Sequence, residues 1–159
     1  MPERHSASRP EYEASRNLRA VLDTNVLVSG LMGVQSPPRQ LIDAWLDERF
    51  TLVTSLHLIE ELAHVISYPR IASRLRMGES DVEAILAALL SQADITPGEL
   101  ALPGVTRDPK DDAIVACAVE GEADFVVSGD QDLLVLGVYE GIQVAAPRRF
   151  LEILRRHER

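Results

Sequence analysis

Short apolar runs alternate with longer segments of helical periodicity along the chain. The runs are rich in β-branched residues, are only a few residues long, and end at turn or capping residues, as strands do. Five such runs cover residues 19–22, 51–54, 93–96, 125–128 and 143–146.

The segments between these runs carry apolar residues at helical spacing. One begins in the proline-rich stretch at 36–38, and the next begins at the capping residue Ser55 and ends before Pro69. Others cover 79–92, the small-residue segment that stops at Gly121, and the chain from Pro147 onward. Strands that alternate with helices predict an α/β fold, a three-layer α/β/α sandwich with a central, mainly parallel five-stranded sheet.

The composition limits the class of protein. At 159 residues and 46% hydrophobic, the chain is expected to form a single domain over 18–159. Residues 1–17 lack the apolar core of a signal peptide, so we expect a disordered N-terminal arm there. No run approaches the ~18 apolar residues of a membrane span. Cys117 has no intrachain partner, which suits the reducing cytoplasm.

The net charge of −9 does not favour a nucleic-acid partner, because phosphate binding usually requires a basic surface. Of the 16 basic residues only Lys110 is a lysine, and several arginines cluster at 148–159. Arginine can bind phosphate in a bidentate manner, although a solvated helix end explains this cluster equally simply. The negative net charge opposes phosphate binding less if several of the acids bind divalent cations together.

The first apolar run ends abruptly at Asp23, and Asn25 follows two positions later. Ligands of an open parallel sheet lie beyond the carboxyl ends of its strands, where Asp23 would stand. A carboxylate buried there is costly unless it is paired or bound to a metal. The simpler alternative is that Asp23 caps the following helix.

A helical wheel separates the two adjacent glutamates of the segment after residue 55. Glu60 lies nearly opposite the apolar stripe, whereas Glu61 lies on its flank. Glu61 is therefore the candidate site residue and Glu60 the solvated one. An ordinary boundary residue remains the alternative for Glu61.

Further acids lie at the predicted starts of helices in the second half of the chain. Asp111 and Asp112 stand in the first turn of one helix, where the helix dipole accounts for one of them. Asp130 and Asp132 follow a strand and a Ser-Gly turn. Acids gathered at one rim of the sheet repel each other unless a cation neutralises them, and oxygen ligands favour Mg²⁺ or Mn²⁺. Two such ions can activate water against a phosphodiester.

These segments resemble the motifs of the PIN domain, a family of metal-dependent ribonucleases that includes VapC-type toxins of toxin–antitoxin pairs. The resemblance covers residues 19–154. "VLDTNVLVSG" is similar to the first motif and implies a metal-binding Asp23 with a supporting Asn25. "TSLHLIEEL" is similar to the strand–helix segment and implies a catalytic, metal-binding Glu61.

The stretch "DDAIVACAVEGEADFVVSGDQDLL" resembles the third and fourth motifs. It implies catalytic metal-ligand roles for Asp112 and Asp130, with Asp132 as a further or indirect metal ligand. Ser128 matches a family position near the site and is expected to support it.

The resemblance implies an endoribonuclease that uses Mg²⁺ or Mn²⁺ to hydrolyse RNA phosphodiester bonds, and it implies a toxin with a cognate antitoxin protein. A homodimer or higher oligomer is also expected. The apolar helices at 41–46 and 84–90 offer a surface for either protein partner, with core packing as the alternative use of their side chains.

Three other functions remain as alternatives. A haloacid-dehalogenase-type phosphohydrolase would use Asp23, Ser55 and Lys110, but it requires an acid where this chain has Asn25. A zinc site would use His57, Glu61 and His64, which share one helix flank. A non-catalytic PIN-like binding module is the third alternative, and the full set of acids argues against it.

Overall fold

The computed structural model describes residues 17–32, 35–75 and 78–158. The N-terminal arm that the sequence predicts lies outside these residues, except for Asn17. Six strands are found in the described ranges: β1 (Arg19–Leu22), β2 (Thr51–Ser55), β3 (Asp94–Thr96), β4 (Phe125–Val127), β5 (Val138–Tyr139) and β6 (Ile142–Ala145).

Eight helices connect these strands in the described part of the chain. They are α1 (Thr24–Leu31), α2 (Pro37–Leu46), α3 (Leu56–Ser67), α4 (Pro69–Ala72), α5 (Glu79–Gln92), α6 (Pro109–Glu120), α7 (Gln131–Leu134) and α8 (Pro147–His157). Prolines stand at the first turns of several of them, where the missing N–H costs no hydrogen bond. The predicted cap of α3 is confirmed, because Ser55 Oγ accepts a 3.2 Å hydrogen bond from the Leu58 backbone N–H.

The sheet has the strand order β3-β2-β1-β4-β6-β5. The first five strands in this order run parallel, and β5 pairs antiparallel with β6. The predicted α/β fold with a mainly parallel sheet is confirmed, while β5 is an addition. Glu140 (φ 49°) and Gly141 (φ 83°) form its two-residue hairpin turn, with the positive φ values that such turns require. The strand escapes sequence prediction because it is only two residues long.

Side chains of the sheet alternate between two helical layers. Ala20 and Leu22 face the larger core, which α1, α2, α3, α5 and α8 cover. Val21 faces the opposite core beneath α6 and α7. Both faces of the sheet are covered, which explains why the parallel strands read as continuous apolar runs rather than as alternating ones.

The apolar helices proposed as partner surfaces are used mainly by the core. Leu41, Ile42 and Trp45 of α2 are buried, and so are Ile85 and Leu89 of α5. Exposed leucines remain at their ends, Leu46 and Leu90. No helix in the described residues is long and apolar enough to cross a membrane.

The order of the strands positions the functional rim. The chain leaves β1 toward β2 and β3 on one side, and later returns to β4 on the other side of β1. A crevice therefore opens between the carboxyl ends of β1 and β4, at the switch point where open α/β sheets bind ligands.

Candidate active site

Asp23 lies at the carboxyl end of β1 and is only 5% exposed. Its backbone N–H donates a 2.9 Å hydrogen bond to the Val127 carbonyl, which fixes it beside β4. The side chain makes no capping hydrogen bond to α1. Instead, Asp23 Oδ2 accepts a 2.7 Å hydrogen bond from the Ser128 hydroxyl. The carboxylate therefore faces the crevice between the two strands.

The electrostatic surroundings of Asp23 are acidic. Burial raises the pKa of its carboxyl group, and the charges of Asp130 and Glu61 raise it further. The Ser128 hydroxyl and the backbone amide of Asn25 oppose this shift. The backbone amide of Asn25 thus favours the ionised form of Asp23, whereas the Asn25 side chain is exposed.

Glu61 lies on α3, the helix that follows β2, and β2 flanks β1 on the side away from β4. Thr24 Oγ1 donates a 3.2 Å hydrogen bond to Glu61 Oε1. Glu61 is half-buried whereas Glu60 is exposed, so the two orientations that the helical wheel predicts for α3 are confirmed. Thr24, which the sequence analysis did not single out, is buried and links α1 to α3 at the site.

Asp130 follows β4 and begins α7. Its backbone N–H donates to Ser128 Oγ at 2.9 Å, and its Oδ1 accepts from the Asp132 backbone N–H at 2.8 Å. The Ser-Gly turn after β4 thus directs Asp130 and Asp132 to the rim that Asp23 occupies.

Asp111, Asp130 and Asp132 form a group whose carboxylate oxygens lie within 4.8 Å of one another. Asp111 is 4% exposed, and its Oδ2 has no hydrogen-bond partner in the described structure. Burial and the charges of Asp130, Asp23 and Asp108 raise the pKa of Asp111 to about 7. The protonated form of Asp111 is favoured further by a side-chain hydrogen bond with Asp130, so the ionised form is costly beside these acids unless a cation balances its charge.

The donor set fits a divalent metal ion. All candidate ligands are carboxylate oxygens, which hard cations such as Mg²⁺ and Mn²⁺ prefer. A cation here would supply the missing partner of Asp111 Oδ2 and would offset the repulsion among the acids.

Three of the predicted metal ligands, Asp23, Glu61 and Asp112, lie outside this group of three acids. Asp112 Oδ2 accepts from the Gly104 N–H at 3.0 Å, and Oδ1 accepts from the Thr106 N–H at 2.6 Å and the Thr106 hydroxyl at 2.9 Å. These bonds lower the pKa of Asp112 and tie the preceding loop to α6. Its neighbour Asp111, rather than Asp112, lies in the group with Asp130 and Asp132.

The periodicity of α6 explains this difference. Asp111 shares a stripe with Ile114, Val115 and Ala118, all of which are buried against the sheet. Asp112 lies about 100° further round the helix and therefore faces the loop. Residues 113–119 are apolar on every side of α6, so a helical wheel does not separate Asp111 from Asp112, and only the packing of the helix distinguishes them.

The residues of the alternative sites are not gathered here. Ser55 caps α3, and Lys110 is exposed, so neither supports a dehalogenase-type site. His57 and His64 are both exposed, and among the described residues they do not form a metal-binding group with Glu61.

Acids therefore gather at the switch point of an α/β/α sheet, and three of them could hold a metal ion. A family model of the PIN domain matches residues 19–132. The chain therefore belongs to the PIN-domain family, whose members are typically nucleases. It is also 28% identical over 119 residues to "Uncharacterized protein MJ1680" of Methanocaldococcus jannaschii, an alignment that covers 75% of each chain.

Proposed function

We propose that the protein is a metal-dependent endoribonuclease that hydrolyses RNA phosphodiester bonds with Mg²⁺ or Mn²⁺. The observation that carries this proposal is the buried, unpartnered Oδ2 of Asp111 beside Asp130 and Asp132. Family membership supports nuclease chemistry, and a carboxylate held without a partner supports a site that a cation completes.

The proposed ligands are Asp23, Glu61, Asp111 and Asp130, with Asp132 as a further or indirect one. When bound, the cation would activate water and offset charge on the departing oxygen of the phosphodiester. Ser128 orients the carboxylate of Asp23 and, through its accepted hydrogen bond, the backbone of Asp130. Thr24 holds Glu61 at the rim. No protein side chain needs to form a covalent intermediate.

A toxin role with a cognate antitoxin is the finer part of this proposal. The antitoxin would cover the acidic rim, and Leu46 and Leu90 are exposed apolar positions available for contact with it or with a second copy. Induced expression in a bacterial host tests this role. The wild-type chain is expected to arrest growth, whereas Asp23→Asn is expected to be tolerated at the same protein level.

Cleavage of a fluorescently labelled RNA oligonucleotide in Mn²⁺ or Mg²⁺ tests the nuclease. Asp23→Asn is expected to lose about 100-fold or more of the activity, because the crevice loses a charged ligand. Asp47→Asn is the matched control, since Asp47 is an exposed acid at the end of α2. A wild-type rate in Asp23→Asn would refute the proposal. A wild-type chain that neither cleaves RNA nor binds Mn²⁺ in calorimetry would instead support a non-catalytic binding module.

A further inference from the structure

A mainly apolar pocket of about 390 Å³ lies between α6 and the loop at 97–108, which joins β3 to α6. Residues 100–104 of the loop form one wall. The opposite wall consists of residues of α6, namely Pro109, Asp112, Ala113 and Ala116. The volume of the pocket lies within the range of sites that bind small molecules.

The pocket is separate from the acidic group formed by Asp111, Asp130 and Asp132. None of these three acids lines it. Asp112 does line it, because the Asp112 side chain faces the loop. Asp23 and Glu61 are also absent from its lining. A molecule in this pocket is therefore not in contact with the proposed metal ligands.

Glu120, at the end of α6, holds the first part of the loop. Its Oε1 accepts a 2.9 Å hydrogen bond from the Gly98 backbone N–H. Its Oε2 accepts from the backbone N–H groups of Glu99 at 3.0 Å and Leu100 at 3.3 Å. Gly98 has a φ of 75°, a conformation that favours glycine. One carboxylate thus binds three consecutive backbone donors and fixes where the wall begins.

Asp112, in the first turn of α6, holds the other end of the wall. Its carboxylate accepts hydrogen bonds from the backbone N–H groups of Gly104 and Thr106 and from the Thr106 hydroxyl. Gly104 also has a positive φ, 79°. Because both ends of the wall are bound to the same helix, the pocket keeps its shape without a ligand. A preformed site avoids the entropic cost of ordering a loop on binding.

The lining of the pocket favours an uncharged ligand. The loop wall carries apolar side chains, and Leu100 is 39% exposed, so a ligand would remove apolar surface from water. Asp112 is the charged residue of the lining, and loop donors already take three of its roughly four acceptor positions. An anion would be repelled by this carboxylate, and a strongly polar molecule would lose hydration without gaining new hydrogen bonds.

We propose that this pocket binds a compact, uncharged, apolar molecule, such as a small aromatic ring system. The ligand packs between the leucine and proline side chains of the loop and the alanines of α6. Because the acids at the rim are not part of the pocket, binding requires neither a metal ion nor RNA. This inference is independent of the proposed nuclease function.

Titration of the full chain with the neutral, apolar dye Nile red tests the pocket by fluorescence. The Kd is expected to be on the order of 10–100 μM. It is expected to change less than about twofold when Mn²⁺ is added, since no coupling joins the two sites. In amide NMR spectra, the largest shifts on addition of the dye are expected at Gly104, Ala113 and Ala116, which line the pocket.

Two substitutions change the pocket without touching the acids. Ala113→Leu extends a half-buried side chain into the space and is expected to raise the Kd about tenfold or more. Leu100→Ser removes apolar surface from the loop wall and is expected to raise the Kd about threefold. Thermal unfolding checks that both variants are folded.

α5 offers a matched control for each substitution. Ala87→Leu and Leu90→Ser make the same changes at exposed positions that do not line the pocket. Both control variants are expected to keep the wild-type Kd for Nile red.

The results either support or overturn the assignment. A loss of affinity confined to Ala113→Leu and Leu100→Ser supports it, whether or not the chain cleaves RNA. Absence of binding to the wild type, wild-type affinity in both pocket variants, or amide shifts centred elsewhere would overturn it. Self-association in gel filtration that Ala113→Leu abolishes would also overturn it, because a second copy would then occupy the pocket.

Discussion

The Ser128 hydroxyl donates a 2.7 Å hydrogen bond to Asp23 Oδ2, across 105 positions of sequence. Ser128 Oγ also accepts a 2.9 Å hydrogen bond from the Asp130 backbone N–H. One fully buried side chain therefore joins the acids that follow β1 and β4. This contact sets the geometry of the crevice at the switch point of the sheet.

Ser128→Ala is expected to weaken Mn²⁺ binding about tenfold, because the pKa of Asp23 rises when its hydrogen-bond donor is lost. It is also expected to reduce the free energy of unfolding by about 1–2 kcal/mol. Isothermal calorimetry and chemical denaturation measure the two effects. Ser29→Ala, at an exposed position of α1, is the control. Unchanged Mn²⁺ affinity in Ser128→Ala would contradict the role assigned to this contact.

The adjacent acids of α6 form a matched pair for mutagenesis. Asp111→Asn is expected to lower Mn²⁺ affinity about 10–100-fold, because it removes a ligand with an unpartnered oxygen. Asp112→Asn is expected to keep the Mn²⁺ affinity within about threefold and to lower Tm, because it loosens the loop at 104–107. Calorimetry of both variants checks this, and the reverse pattern would show that Asp112 is the ligand.

The stability of the metal-free protein is expected to fall as pH rises from about 4 to 7. Asp111 keeps its proton up to about pH 7 in the folded state, since burial and the charges of Asp130, Asp23 and Asp108 raise its pKa. The unfolded chain releases that proton near pH ~3.9, so the folded state binds more protons within this window. Thermal unfolding with a chelator measures the fall, and a flat profile would contradict it.

The Asp111→Asn variant isolates this contribution to the pH profile. At pH 7.5 the metal-free variant is expected to be about 1–2 kcal/mol more stable than the wild type, because it carries no charge at the buried position. Saturating Mn²⁺ is expected to stabilise the wild type more than the variant, since Mn²⁺ binding replaces the proton of Asp111.

The glutamates of α3 provide a second matched pair. Glu61→Gln is expected to reduce RNA cleavage about 10–100-fold, because it removes a proposed metal ligand whose charge lies close enough to act on Asp23. Glu60→Gln is expected to keep the rate within about twofold, as its side chain is exposed. Thr24→Val removes the hydrogen bond to Glu61. Its rate of RNA cleavage is expected to lie between the rates of the two glutamine variants. Equal rates in the two glutamine variants would remove Glu61 from the site.

Gly121→Ala tests the packing that supports α6. A Cβ at this position would collide with Val53 Cγ1 and would lie 2.9 Å from Thr96 Cγ2. Overpacking against β2 and β3 is expected to cost about 1–3 kcal/mol of folding free energy. Chemical denaturation measures this loss, and Mn²⁺ affinity in the folded variant is expected to remain near that of the wild type.

The sequence by itself determined the layered architecture and the strand ends that carry the acids. Strand and helix patterns were readable because a sheet covered on both faces requires continuous apolar runs between amphipathic helices. The same hydrophobic patterns identify Asp23 and Glu61 as candidate site residues. Asp23 ends an apolar run, and Glu61 borders an apolar helix stripe. The edge strand β5 was too short to leave such a pattern.

Only the tertiary structure decided which neighbouring groups meet. Asp111 rather than Asp112 reaches the rim because the packing of α6 against the sheet fixes the rotation of its first turn. The contacts of Ser128 with Asp23, Thr24 with Glu61, and Asp112 with the loop at 104–107 join residues whose pairing no local pattern encodes. Hydrophobic periodicity sets each element, but the relative placement of polar groups follows from how the elements pack together.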